Sequence, residues 1–321
     1  MSKFGFCGSG KSSATLNECR AIMTCLARVH AHFWGKRHHE DSPSTCQNLF
    51  AGSDLKSYPL LIRMVFPDAI KVMRQAFPMV IENVGESCMK SLQTHWKSIA
   101  YRLREPPFTL CHGDVKMDNV FFSHGNEEGK SHREACCVDW GVCGWGNPMG
   151  DVGYFFGRCV DVVDRRTWCD DLLNIYRNEL VRVNPDLNEI YTVEKMKEGE
   201  KERSEATAGR IRQQHSHTFT AALSHVYPPF VPDLRLMCLV PFFTVMGTLK
   251  GMMKDVENKT GTFSPKDKMS EDDKIKREWM DKSFMRISQL MKDMNVESKI
   301  MEGAADPGCA PIPCCCLWTM P

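Results

Sequence analysis

The sequence predicts an α+β protein that is mainly helical and carries one small β-hairpin. Three observations lead there. Apolar residues recur every three or four positions from Thr15 to Trp34 and again after Asp151, the pattern of amphipathic helices. Two short runs, "NVFFS" and "EACCVDW", are rich in apolar and aromatic residues and are bounded by turn signals, as strands are. Polar stretches containing Gly or Pro separate these segments.

The first helix puts Leu16, Cys19, Ile22, Met23, Leu26, Val29 and Phe33 on one face, with Ser13 or Thr15 as its N-cap and Gly35 at its end. "KRHHEDSPSTCQNLFAGSD" follows as a polar loop. Two further helical segments are expected between Ser57 and Leu103, separated near Pro78, and Pro106 with Pro107 stops them. The hairpin comes next, its strands joined by "HGNEEGKSHR". Helical patterning resumes through "WCDDLLNIYRNELV", the charged stretch "EKMKEGEKERSEATAGRIRQQ" and the apolar segment from Leu236 to Met253. Residues Lys254 to Arg277 are charge-rich with few apolar anchors, and a short helix is expected at "SFMRISQLMKDM". The domain reading is therefore a flexible leader over 1–14, a body over 15–295 and a disordered Cys- and Pro-rich tail over 296–321.

Composition narrows the function. Lys plus Arg number 41 against 40 Asp plus Glu, so no net field draws the chain to nucleic acid or to an anionic membrane, and a small-molecule partner is the default. The most apolar run, "LMCLVPFFTVMGTL", is too short to span a bilayer and contains Pro241, while "MSKFGFCGSGKSS" has no apolar signal core. A cytoplasmic protein without a membrane span is expected. The 16 cysteines are scattered through apolar stretches, which reads as reduced, buried thiols rather than a disulfide framework.

Chemistry concentrates around residue 114. "CHGDVKMDNVFF" places His112, Gly113 and Asp114 before a strand and Asn119 five residues after Asp114, and "VDWG" closes the partner strand at Asp139. The hairpin brings these ends together. Phosphoryl transfer needs a carboxylate that orients the attacking hydroxyl and accepts its proton, and oxygen ligands that hold magnesium against nucleotide phosphates. Asp114, Asn119 and Asp139 supply those groups. Taken singly, such residues also cap helices and close turns, and Asp151 in particular reads equally well as the N-cap of "VGYFFGRCV".

In order, "HGDVKMDN", "VDWG" and "GNPMGDVGYF" resemble the catalytic loop, the metal-binding motif and the following Asp of the aminoglycoside phosphotransferase and choline kinase-like (CHK kinase-like) family. "LARVHAHFWG" resembles the first large helix of that family's C-terminal lobe. The resemblance implies a protein kinase-like C-terminal lobe and an ATP-dependent kinase acting on a small-molecule hydroxyl. Asp114 would be the catalytic base, Asn119 and Asp139 the Mg2+ ligands, His112 a support for the loop, and Asp151 its brace through backbone hydrogen bonds. Lys116 stands where protein kinases often carry a lysine on the transferred phosphate.

Such enzymes carry an N-terminal, mainly β lobe before that helix, and only 14 residues precede Thr15, so the lobe is expected to be largely absent. A non-catalytic binding or scaffold module is the alternative function. "GFCGSGKS" fits the phosphate-cradling pattern G-x-x-x-x-G-K-[ST], but that loop needs a buried strand and a parallel sheet behind it, and a leader is preferred. His38, His39 and Cys46 lack a second pair at zinc spacing, and Cys316 is not fourth from the end as prenylation requires.

Overall fold

A computed structural model describes residues 4–6, 13–36, 70, 73–103, 107–123, 134–188, 239, 242 and 270–304. The chain is mainly helical with two small antiparallel sheets.

Helix α1 (Leu16–Phe33) begins at Thr15 through a capping box: Glu18 N–H donates to Thr15 Oγ1 at 3.4 Å and Thr15 N–H donates to Glu18 Oε2 at 2.8 Å. Its apolar face is buried, and each fully buried side chain there contributes about 1.5–3 kcal/mol. The helix stops at Gly35, whose φ of +70° suits glycine and whose N–H donates to Phe108 O. That bond ties the end of α1 to the segment that delivers the site.

Helices α2 (Pro78–Val84) and α3 (Glu86–Arg102) come next. The expected break lies at Phe77, and Pro78 opens α2 because its missing N–H costs nothing in a first turn. A second break falls at Gly85, with φ of +88°.

Five short strands follow two patterns. Strands β1 (Phe4–Phe6), β3 (Val120–Ser123) and β4 (Ala135–Cys137) form one antiparallel sheet with β3 central, pairing Phe4 with Ser123 and Val120 with Cys137. The β3–β4 pair is the hairpin read from the sequence. Strand β1 falls in the stretch expected as a flexible leader, where it gives β3 a second backbone partner; it runs antiparallel, not in the parallel sheet a phosphate-cradling loop requires. Strands β2 (Thr109–Cys111) and β5 (Gly144–Gly146) form a second sheet, with Leu110 opposite Trp145. Neither showed in the sequence, because three residues carry too little alternation to mark a strand, and β5 has two glycines among its three.

Helices α4 (Met149–Cys159) and α5 (Val162–Val183) follow, with α5 packed along α1. Helix α6 (Glu271–Asp293) is longer than the short helix expected. Its first half, read as charge-rich with few apolar anchors, is laced by ion pairs three and four residues apart, Lys274–Glu271, Arg277–Asp281 and Lys282–Glu278, while Met280, Phe284, Ile287 and Leu290 are buried. Helix α7 (Val296–Ala304) lies where the tail was expected; Val296 and Ile300 are buried, and Arg102 donates to Lys299 O at 2.8 Å. Those two apolar positions, four apart, suffice to dock one short helix on α3.

His38, His39, Cys46, the stretch 194–214 and the tail beyond 304 lie outside the described residues, as does the segment from Leu236 to Met253 apart from Leu239 and Phe242, both buried. Among the described residues, no helix is long and apolar enough to cross a membrane.

Candidate active site

Strand β2 runs directly into His112, Gly113 and Asp114. Gly113 has φ of +84°, a conformation that glycine adopts freely. The turn there aims two successive amides at one carboxylate: His112 N–H donates to Asp151 Oδ2 at 2.7 Å and Gly113 N–H to Oδ1 at 2.8 Å. Asp151 lies inside the first turn of α4, whose N-cap is Pro148, so its carboxylate faces the loop rather than its own helix.

His30 of α1 completes the arrangement, its Nε2 standing 3.2 Å from Asp151 Oδ2 and its Nδ1 2.8 Å from the Tyr176 hydroxyl. Both His30 and Asp151 are fully buried. Burial by itself would raise the Asp151 pKa, but His30 and the two amides hold it below the ordinary carboxylate value. A buried carboxylate with this many donors is a rigid hub linking α1, the loop and α4.

Cys111 lies beside this pair, and the ligand atoms of His30, Cys111 and Asp151 fall within 4.8 Å of one another. Each already has partners. Both ring nitrogens of His30 and both oxygens of Asp151 are hydrogen-bonded, and the Cys111 thiol donates to Asn147 O at 3.5 Å. These bonds account for the cluster as a brace of the loop.

Asp114 stands one residue beyond. Its Oδ1 accepts from the Tyr154 hydroxyl at 2.6 Å, and its Oδ2 accepts from Lys116 Nζ at 2.6 Å and from Asn119 Nδ2 at 3.0 Å. Partial burial raises its pKa, yet Lys116, Tyr154 and Asn119 together hold it below the ordinary value. The side chain remains 23% exposed, enough for a small molecule to reach it.

Asn119 is 5% exposed, and its Nδ2 also donates to Asp114 O at 2.9 Å. With the amide nitrogen held twice, the amide oxygen is the atom presented for a ligand. Asp139 reaches the same edge along the ladder, since Val138 N–H donates to Asn119 O at 2.9 Å. It is exposed, holds a left-handed φ of 61° unusual for a non-glycine residue, and makes no hydrogen bond to Asp114 or Asn119 among the described residues. His112 joins the two segments: its Nε2 donates to Val138 O at 2.8 Å, its Nδ1 accepts from Asp114 N–H at 3.3 Å, and its ring lies 4.6 Å from that of Trp140.

Asp114, Lys116 and Asn119 thus form one hydrogen-bonded cluster, braced by His112 and Asp151, with Asp139 on the adjoining turn. Asp118 is exposed and outside it. Sequence reasoning missed His30 and Tyr154, although both sit within quoted motifs. Tyr154 falls three residues after Asp151, the spacing that returns to one face of a helix.

Residues 3–189, more than half of the chain, match the model of the ecdysteroid kinase-like family. The matched span runs from β1 to the end of α5 and holds every residue of this cluster, in keeping with the aminoglycoside phosphotransferase and choline kinase-like resemblance. No curated protein matches the chain.

Proposed function

We propose, from the premise that this chain belongs to the ecdysteroid kinase-like family, that it is a phosphotransferase moving the γ-phosphoryl group of ATP to a hydroxyl of a small molecule, with Mg2+ as its metal. The observation that carries the reading is the carboxylate of Asp114, held by three donors at the end of a braced loop and still open to solvent.

The bonds decide where a substrate docks. Oδ2 already accepts two hydrogen bonds, whereas Oδ1 accepts one from Tyr154 and keeps a lone pair. The attacking hydroxyl donates to that lone pair, which orients its oxygen and gives its proton a destination. Lys116 bonds Asp114 yet is 34% exposed, so its ammonium sits beside the reacting oxygen, where phosphate charge develops. His112 and Asp151 keep the loop from shifting.

The residues suit magnesium. The Asn119 amide oxygen and the Asp139 carboxylate are hard oxygen donors, and two bonds to Asp114 set the direction in which Asn119 presents its oxygen. When bound there, Mg2+ supplies charge neutralisation on the nucleotide phosphates. A kinase-like C-terminal lobe is the architecture this reading assigns to the helices around the hairpin. The family's name points to ecdysteroids as one acceptor class, beside amino alcohols and sugars.

The test is Asp114→Asn in the full chain, assayed for phosphoryl transfer to that acceptor panel. The expected loss is about 10²–10⁴-fold, the range for removing a positioned general base. Turnover within twofold of the native protein would refute the assignment.

A further inference from the structure

Two thiols near the site have no part in phosphoryl transfer. Cys25 of α1 and Cys137 of β4 face each other with their sulfurs 3.9 Å apart, although 112 residues separate them in the chain. Cys25 is half-buried and Cys137 is 8% exposed, so the pair lies just below the surface.

We propose that Cys25 and Cys137 are an oxidisable dithiol, closed to a disulfide by a two-electron oxidant of the peroxide class, and that closure ties β4 to α1 and displaces Asp139. The geometry needed is modest. A disulfide brings sulfurs to about 2.05 Å, so they must approach by about 2 Å. The strand is the partner that yields. Helix α1 is 18 residues long with a buried face, whereas β4 has three residues and lies at the edge of its sheet. Its position is coupled directly to the site: Cys137 pairs with Val120, Val138 N–H donates to Asn119 O, and Asp139 follows. Drawing Cys137 toward α1 therefore moves Asp139 away from Asn119.

Cys25 is the first nucleophile. It is the more accessible sulfur, and the hydrogen bond from Cys137, opposed by burial and aided by Arg28, holds its pKa below the ordinary thiol value. The Cys25 thiolate attacks a peroxide oxygen, the O–O bond breaks, and a sulfenic acid forms with hydroxide as leaving group. The Cys137 sulfur then attacks the Cys25 sulfur, the S–O bond breaks, and a second hydroxide leaves. Two thiols and one hydrogen peroxide become one disulfide and two waters. The two cysteines are oxidised and the peroxide is reduced.

The loss of turnover rests on the phosphotransferase reading; the cross-link does not. The reduced full chain is treated with hydrogen peroxide, free thiols are alkylated, and a non-reducing peptide map is taken for the native protein, Cys25→Ala and Cys136→Ala. The last variant removes the exposed neighbouring thiol. The expected result is a Cys25–Cys137 peptide in the native protein and in Cys136→Ala, absent in Cys25→Ala. Turnover falls at least tenfold on oxidation, returns with dithiothreitol, and stays insensitive to peroxide in Cys25→Ala. Alkylation of both Cys25 and Cys137, or cross-linking through Cys136 instead, would overturn the dithiol. A cross-linked chain with unchanged turnover would overturn its control of Asp139. A reduced chain with no turnover refutes the phosphotransferase reading, and the peptide map then decides the dithiol by itself.

Discussion

At the scale of single residues, Asp151 matters more to the loop than its place in the sequence suggests. It takes hydrogen bonds from two amides and one imidazole while fully buried. An Asp151→Asn variant keeps the volume but turns an amide N–H2 toward donors, leaving at least one of them unsatisfied. Removing one member of such a buried set costs about 3 kcal/mol. Urea unfolding of the two proteins would show it as a lower midpoint; an unchanged midpoint would mean that Asp151 is not the hub. That Asp114 and Asn119 lie together, with Asp139 on the adjoining turn, was legible because the first two share one short run and the hairpin joins its end to the other. His30 and Tyr154 were not, because each gains its role from a partner 121 or 40 residues away that only the fold brings near.

At the scale of elements, helices and strands differ in how plainly they show. Helix α1 could be read almost to the residue, since 18 residues repeat the apolar spacing five times and both ends carry their own signals in Thr15 and Gly35. Strands of three residues leave one alternation at most, so β1, β2 and β5 were invisible and only the apolar density of β3 and β4 gave them away. The α1–α5 contact also has an electrostatic component that can be measured. Glu179 of α5 pairs with Arg182 and with Arg28 of α1, and those partners bring its pKa from 4.5 down to about 2 against the opposing effect of burial. A depressed carboxylate stabilises the fold above its unfolded pKa and loses that contribution as pH falls toward the folded value. A Glu179→Gln variant should therefore be less stable by about 1 kcal/mol at pH 7, discounted because both arginines are more than half exposed. The deficit should shrink as pH falls from 4.5 toward 2. Thermal unfolding across that range checks it, and a deficit independent of pH would assign the loss to packing instead.

At the scale of the whole molecule, the two sheets and α4 converge on one loop while α1, α5 and α6 supply the buried mass behind it. Arg165 of α5 is buried and donates to Arg286 O of α6 at 3.1 Å, and Arg286 in turn donates to Asp161 Oδ1 at 2.9 Å. Helix α6 is thus bound to the segment that follows α4. The division into a mainly helical body and a small hairpin was readable from periodicity. The pairing of β1 with β3 was not, because sequence proximity says nothing of a strand 117 residues upstream of its partner.

The central claim is metal-dependent phosphoryl transfer at the edge shared by Asp114, Asn119 and Asp139. Its most direct test is γ-labelled ATP incubated with the full chain and the acceptor panel, with and without a chelator, for the native protein and Asp139→Asn. The account predicts labelled organic phosphate with Mg2+ only, and at least a hundredfold less from the variant. Labelled product that survives chelation, or that the variant makes as fast as the native protein, would contradict it, as would no labelled product at all.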